Sequence, residues 1–220
     1  MFAKQRFDTN IYMKLFRWAY ILLMGTLCFS LVNLPFFFAT ISLAIDVRNV
    51  LFFALSLLFV GPGFVALFGM IDVFKEHKDV EPVKEFFRKY RQFGLRGFLY
   101  GLIGWGANVV CLADVYVFAK LPGGQWLIPL FLILMIIGLA VSINAWYYQV
   151  RNPQATMKDV LRLAFYMALK KWYASLLNLV LFAAIFAVML LKPQFGFVIT
   201  TSLFAGIMYL NLSFAGGRKE

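Results

Sequence analysis

Long apolar runs alternate along the chain with short basic clusters, and six runs are long enough to be read as membrane spans. They cover roughly residues 18–45, 50–71, 95–119, 126–150, 172–191 and 195–213, against the about 20 apolar residues that cross a hydrocarbon core as a helix. The first run is the longest, so tilt or a bend at Pro35 is expected. It follows a basic stretch and carries no small-residue cleavage site, which reads as a retained span rather than a signal peptide. The expected architecture is all-α: one polytopic helix bundle over 1–220 with about six transmembrane helices.

Two basic segments have a different pattern. In "VKEFFRKYRQFGLRGFL", apolar Val83, Phe86, Phe87 and Tyr90 recur at helical spacing, while Lys84, Glu85, Arg88, Lys89, Arg91 and Gln92 fill the other face. Pro82 suits the first position of a helix, and Glu85 with Lys89 forms a favourable pair four residues apart. "MKDVLRLAFYMALKKWY" matches this segment at an offset of 74, with Lys84, Glu85, Arg88, Leu95 and Arg96 falling on Lys158, Asp159, Arg162, Leu169 and Lys170. Thr156 and Asp159 form a variant capping box at its start. The same offset superposes span two on span four and span three on span five. A parallel tandem repeat, 50–119 and 124–193, is one reading, and shared hydropathy without duplication is the other.

Composition agrees with a membrane protein: 63% of residues are hydrophobic and 14% charged, more apolar surface than a soluble core of 220 residues would hide. The net charge of +11 does not point to nucleic acid, because no nucleic-acid module surrounds the basic clusters. It reads as topology. Eighteen of the 21 Lys and Arg fall on one side of the six-span arrangement, leaving Arg48, Lys120 and Lys192 in the short opposite loops. By the positive-inside rule both termini and both amphipathic helices are expected in the cytoplasm.

The paired helices have two readings. One is interfacial anchors on anionic headgroups, the other docking faces for a protein partner, with Lys84, Phe86, Phe87, Arg88, Lys89, Tyr90, Lys158, Arg162, Lys170 and Lys171 as the contact residues in either case. Gly97, Gly101 and Gly104 form a small-residue face for close helix packing, within the chain or between two copies. "VGPG" at 60–63 interrupts span two with Gly61, Pro62 and Gly63, where the helix kinks or breaks. Together with Asn33, Asn108 and Asp114 these residues are the candidates for a substrate pathway, against the alternative of ordinary packing and interhelical hydrogen bonds. Trp18, Trp126, Trp146, Tyr147, Tyr148, Trp172 and Tyr173 near span ends are expected in interfacial belts.

Catalytic signatures are absent from this reading. His77 is the sole histidine, Cys28 and Cys111 lie inside spans without metal-ligand spacing, Gly216–Gly217 is no phosphate loop, and Asp72 is taken as a surface acid. No metal, cofactor or enzymatic activity is expected.

The blocks "NIYMKLFRWAYILLMGTLCFSLVNLP", "GPGFVALFGMIDVFKEHKDV", "VKEFFRKYRQFGLRGFLYGLI" and "MKDVLRLAFYMALKKWYASLLNLVL" together resemble the YesL family of small bacterial membrane proteins, over nearly the whole chain. A distinct "DVRN" turn between spans one and two departs from the more compact first hairpin expected there. The resemblance implies a bacterial plasma-membrane protein, non-catalytic, with an accessory or regulatory role in carbohydrate uptake beside ABC sugar-transporter subunits, and it supplies no catalytic residues. The alternative is a small autonomous transporter, working as a dimer of the chain. The partners expected are the lipid bilayer with its anionic headgroups, the transporter subunits and a second copy.

Overall fold

A computed structural model describes residues 11–44, 46–77 and 80–217. The basic positions Lys4, Arg6, Arg218 and Lys219, and Lys78 and Asp79 of the first basic loop, lie outside them. The described residues are predominantly helical and contain no strand. Five helices are long and apolar enough to cross a membrane, those within Leu15–Val32, Leu51–Glu76, Pro82–Phe118, Gly124–Arg151 and Trp172–Leu191.

The chain begins with α1 (Ile11–Val32) and α2 (Leu34–Ser42). They are separated at Asn33, two residues before Pro35, which has no N–H to offer the carbonyl of Leu31. The bend expected at Pro35 thus falls just ahead of it. A 3-10 turn, Val47–Asn49, occupies the "DVRN" loop and leads into α3 (Val50–Ser56). Pro62 likewise leaves the carbonyl of Leu58 without its helical donor, and the winding tightens to a 3-10 turn at Leu57–Phe59 before α4 (Val60–Glu76).

α5 (Pro82–Phe118) is a single helix of 37 residues that joins the first amphipathic segment to span three without interruption, with Pro82 in its first turn. After a left-handed Gly123, where φ is 77°, α6 (Ile128–Arg151) returns beside it. The second amphipathic segment is a separate helix, α7 (Met157–Lys170), and α8 (Trp172–Leu191) follows after a break at Lys171. The Thr156 hydroxyl accepts from the Asp159 N–H at 3.3 Å and so caps α7. The offset of 74 therefore maps α4 onto α6 and α5 onto α7 plus α8, one straight helix against two.

The last apolar run consists of a short α9 (Pro193–Phe195), a π-helical turn Gly196–Thr200 and α10 (Thr201–Ala215). α10 alone, at 15 residues, is shorter than the five spanning helices, but α9, the π-helical turn and α10 follow one another without a gap, so the last apolar run is helical from Pro193 to Ala215.

α4 is the centre of the bundle: Val60 to Asp72 and Phe74 are all buried, with α1, α5, α6 and α10 packed on it. The outer faces are apolar too. Leu23, Leu27 and Leu31 on α1 and Val109, Leu112 and Tyr116 on α5 are exposed, the pattern of helices solvated by lipid. Trp146, Tyr147 and Tyr148, expected at an interfacial belt, instead point into the core, whereas Trp126 and Trp172 are exposed.

Candidate functional site

Two places in the bundle gather polar side chains, and each is set by where helices cross. The first lies at the end of the bundle that carries the basic clusters, here called the basic end. Arg151, the last residue of α6, donates to Asp72 of α4 at 2.8 Å and reaches Glu76 one turn on at 3.4 Å. Tyr209 of α10, fully buried, also donates to Asp72, and Lys75 donates to Ser213 at 3.3 Å. Asp72 is thus no surface acid. α4 continues helically to Glu76, which turns both carboxylates toward α6, and the Asp72 carboxylate, accepting from Arg151 and Tyr209, ties α4, α6 and α10 together.

Around this cluster the two amphipathic segments are laid out differently. At the start of α5, Phe86 is fully buried and Phe87 and Tyr90 are half-buried, so its aromatic side faces the protein. Glu85 pairs with Arg88 at 2.6 Å rather than with Lys89, whose aliphatic stem lies over Gly69 and whose ammonium sits 5.7 Å from the Phe93 ring. The exposed strip is Lys84, Arg88, Arg91 and Gln92. On α7, Lys158, Arg162 and Lys170 are exposed and Lys171 is half-exposed at the break before α8.

The second place is a cleft of 280 Å³ between the start of α4 and the middles of α5, α6 and α8. Its walls include Gly61, Gly101, Asn108, Ser142, Trp146 and Phe182. Leu102 and Leu112, exposed on the outside of α5, also line it. Of the glycine face only Gly101 lines it, and the face packs within one chain. A Cβ on Gly97 would lie 2.8 Å from Val65, one on Gly104 would meet the Ser142 hydroxyl at 2.5 Å, and one on Gly101 would meet nothing closer than 3.6 Å. The Trp146 N–H donates to the Gly97 carbonyl at 3.0 Å, the Ser142 hydroxyl to the Tyr100 carbonyl at 2.7 Å, and the Tyr100 hydroxyl to Gln149 at 2.7 Å.

The pathway candidates are not gathered in this cleft. Asn108 lines it, donating to the Gly104 carbonyl at 2.7 Å. Asn33 is fully buried at the α1–α4 contact, where it donates to the Phe29 carbonyl at 2.9 Å and approaches Gly63. Asp114 is half-buried near the far end of α5 and does not line the cleft. Elsewhere Asn211 joins α10 to α8 through Asn178 and the Ala174 carbonyl, and Asn144 joins α6 to α8 through Ser175.

Cys28 and Cys111 are buried and free. Among the described residues no group of three or more His, Cys, Asp or Glu is placed to hold a metal ion. What sequence reading missed is the ion pair: Asp72, Glu76 and Arg151 lie far apart in the chain. Their signal was the i, i+4 spacing of two acids at the end of one apolar run, and a cation closing another run on the same side. In comparison with known proteins, the chain matches no family model, no curated protein and no solved structure.

Proposed function

We propose that the protein is a non-catalytic accessory or regulatory subunit of a bacterial plasma-membrane complex for carbohydrate uptake, which docks ABC-transporter subunits through the start of α5. The observation that carries this reading is the length and dressing of α5. At 37 residues it is about 55 Å long, whereas a hydrocarbon core is about 30 Å thick. Its cations Lys84, Arg88, Lys89, Arg91 and Arg96 all lie toward the N-terminus, so the excess length belongs at that end. Phe86 and Phe93 are spent on the chain's own core, which leaves a cationic strip free of aromatic residues. Such a strip suits an acidic protein surface in water better than lipid. The placement of this end in the cytoplasm follows from the charge bias of the loops, and the carbohydrate context from the resemblance to YesL proteins.

The test is purification of the tagged protein from its native membrane in mild detergent, beside the variant Lys84→Glu/Arg88→Glu. Stoichiometric recovery of permease or ATPase subunits with the parent and their loss with the variant is the expected result. Recovery of the chain without such subunits, under conditions that preserve other membrane complexes, would reject the reading. A second reading, a small autonomous transporter, draws on the 280 Å³ cleft and on Asn108 in its wall.

A further inference from the structure

The two amphipathic segments look like a pair in sequence, yet they expose different chemistry. α7 has three ridges. Val160, Ala164 and Ala168 are buried, and this small-residue ridge packs on α6. Lys158, Arg162, Tyr166 and Lys170, at steps of four, form an exposed ridge beside it. Phe165 and Leu169 form the next, 51% and 48% exposed, and Trp172 at the start of α8 is 65% exposed. Large apolar side chains therefore face outward, the reverse of α5, where Phe86 and Phe93 face inward.

Several observations identify what covers the outer side of α7. α8 has 20 residues, about 30 Å, which matches the hydrocarbon core and sets Trp172 and Tyr173 at its edge. Exposed cations stand at both ends of the 14-residue α7, which prevents either end from entering the core. Lys171, with φ −114° and ψ 47°, parts the axis of α7 from that of α8. The Lys170 ammonium donates to the Tyr166 hydroxyl at 2.9 Å, and Lys171 sits 5.9 Å from the Tyr173 ring, so cations and aromatic rings share one level. Asp159, the one acid of α7, is engaged by Thr156 at the cap.

We infer that α7 is a lipid-reading helix: it lies along the leaflet at the basic end, with Phe165, Leu169 and Trp172 in the acyl-chain boundary and Lys158, Arg162, Lys170 and Lys171 on the phosphates of anionic phospholipids. The charge pattern selects an anionic bilayer surface, and the adjacent aromatic ridge supplies the insertion that a purely electrostatic contact lacks. The repeated segments thus divide the work, α5 toward water and α7 toward lipid. This inference stands apart from the docking reading, because it concerns a different helix and is read without any partner protein.

The experiment reconstitutes the full chain in phosphatidylcholine vesicles that contain either brominated phosphatidylglycerol or brominated phosphatidylcholine at the same fraction. Quenching of Trp172 is isolated by difference from Trp172→Phe. Brominated phosphatidylglycerol is expected to quench more strongly, and Lys158→Glu/Arg162→Glu/Lys170→Glu to weaken that preference by about tenfold or more. Arg88→Glu on α5 should leave it intact. If charge reversal prevents recovery of folded protein, glutamine at the same three positions is expected to show the loss in milder form. Equal quenching by the two lipids, or a preference that survives removal of the cations, would overturn the proposal. Absence of quenching by either lipid would also overturn it.

Discussion

Gly61 and Gly97 meet backbone to backbone where α4 crosses α5. A Cβ built on Gly61 would lie 2.5 Å from the Gly97 carbonyl oxygen, and one on Gly97 would lie 3.0 Å from the Gly61 oxygen. Backbone cannot move aside as a flexible side chain does, so this contact fixes how closely the central helix approaches its longest neighbour. The same Gly97 carbonyl accepts the Trp146 N–H, which locks α6 to the crossing.

The glycines of α5 should therefore respond very differently to one added methyl group. Gly97→Ala is expected to destabilise the protein by about 1–3 kcal/mol, the usual cost of overpacking. Gly101→Ala meets only ordinary contacts at 3.6 Å, and Gly106→Ala meets nothing within 4 Å. Both should be neutral or stabilising by about 0.5–1 kcal/mol, because a helix interior favours alanine over glycine. Thermal unfolding in detergent, followed by size-exclusion recovery, checks the order. Equal losses at all three positions would refute an α4–α5 crossing at Gly97.

The Asp72–Arg151 pair invites a double-mutant cycle. Breaking a buried pair from one side strands a charge and costs about 3–5 kcal/mol, while removing both partners costs much less. Asp72→Asn and Arg151→Met are each expected to destabilise strongly, and the double variant to recover a large part of the loss. Asp72→Asn leaves behind Arg151, which is 24% exposed and still reaches Glu76, so that variant falls toward the smaller effect. Tyr209→Phe deletes one hydrogen bond to a carboxylate, at about 1.5–3 kcal/mol. Additive single effects in the same unfolding assay would show that the three residues do not act as a unit.

The helical bundle was legible because apolar runs and their basic flanks are statements about solvent, and five of the runs are helices of spanning length. Local chemistry carried further in some places: Pro35 marked the break at Asn33, Thr156 the start of α7, and the Gly97–Gly101 spacing a close approach. The joining of the first amphipathic segment to span three was not legible. Gly94 and Arg96 interrupt the first segment much as Lys170 and Lys171 interrupt the second, and no proline stands at either place. Packing decides between them, since α5 rests along α4 while α7 rests on α6 by its alanine ridge. Burial of Asp72 was hidden for a related reason. A carboxylate near the end of an apolar run looks solvated until a cation from another helix is brought to it. Trp146, Tyr147 and Tyr148 misled in the opposite sense, since aromatic residues at a span end suit an interface and a core equally well.

The cleft offers the sharpest division between the docking and transport readings. Leu139→Trp would place an indole into the 280 Å³ space beside Ser142 and Trp146. If partner capture through α5 is the function, the cleft is a packing defect, and filling it should leave copurification of transporter subunits unchanged while holding or raising thermal stability. Asp114→Asn, which does not line the cleft and lies at the opposite end of α5 from the cationic strip, should be equally silent. The measurement is the ratio of recovered partner to bait for the two variants against the parent chain, with Lys84→Glu/Arg88→Glu as the positive control for loss. A Leu139→Trp variant that folds, keeps its α5 strip and still loses the partner would move the function from the protruding helix into the membrane-embedded cleft, where Asn108 would become the residue to change next.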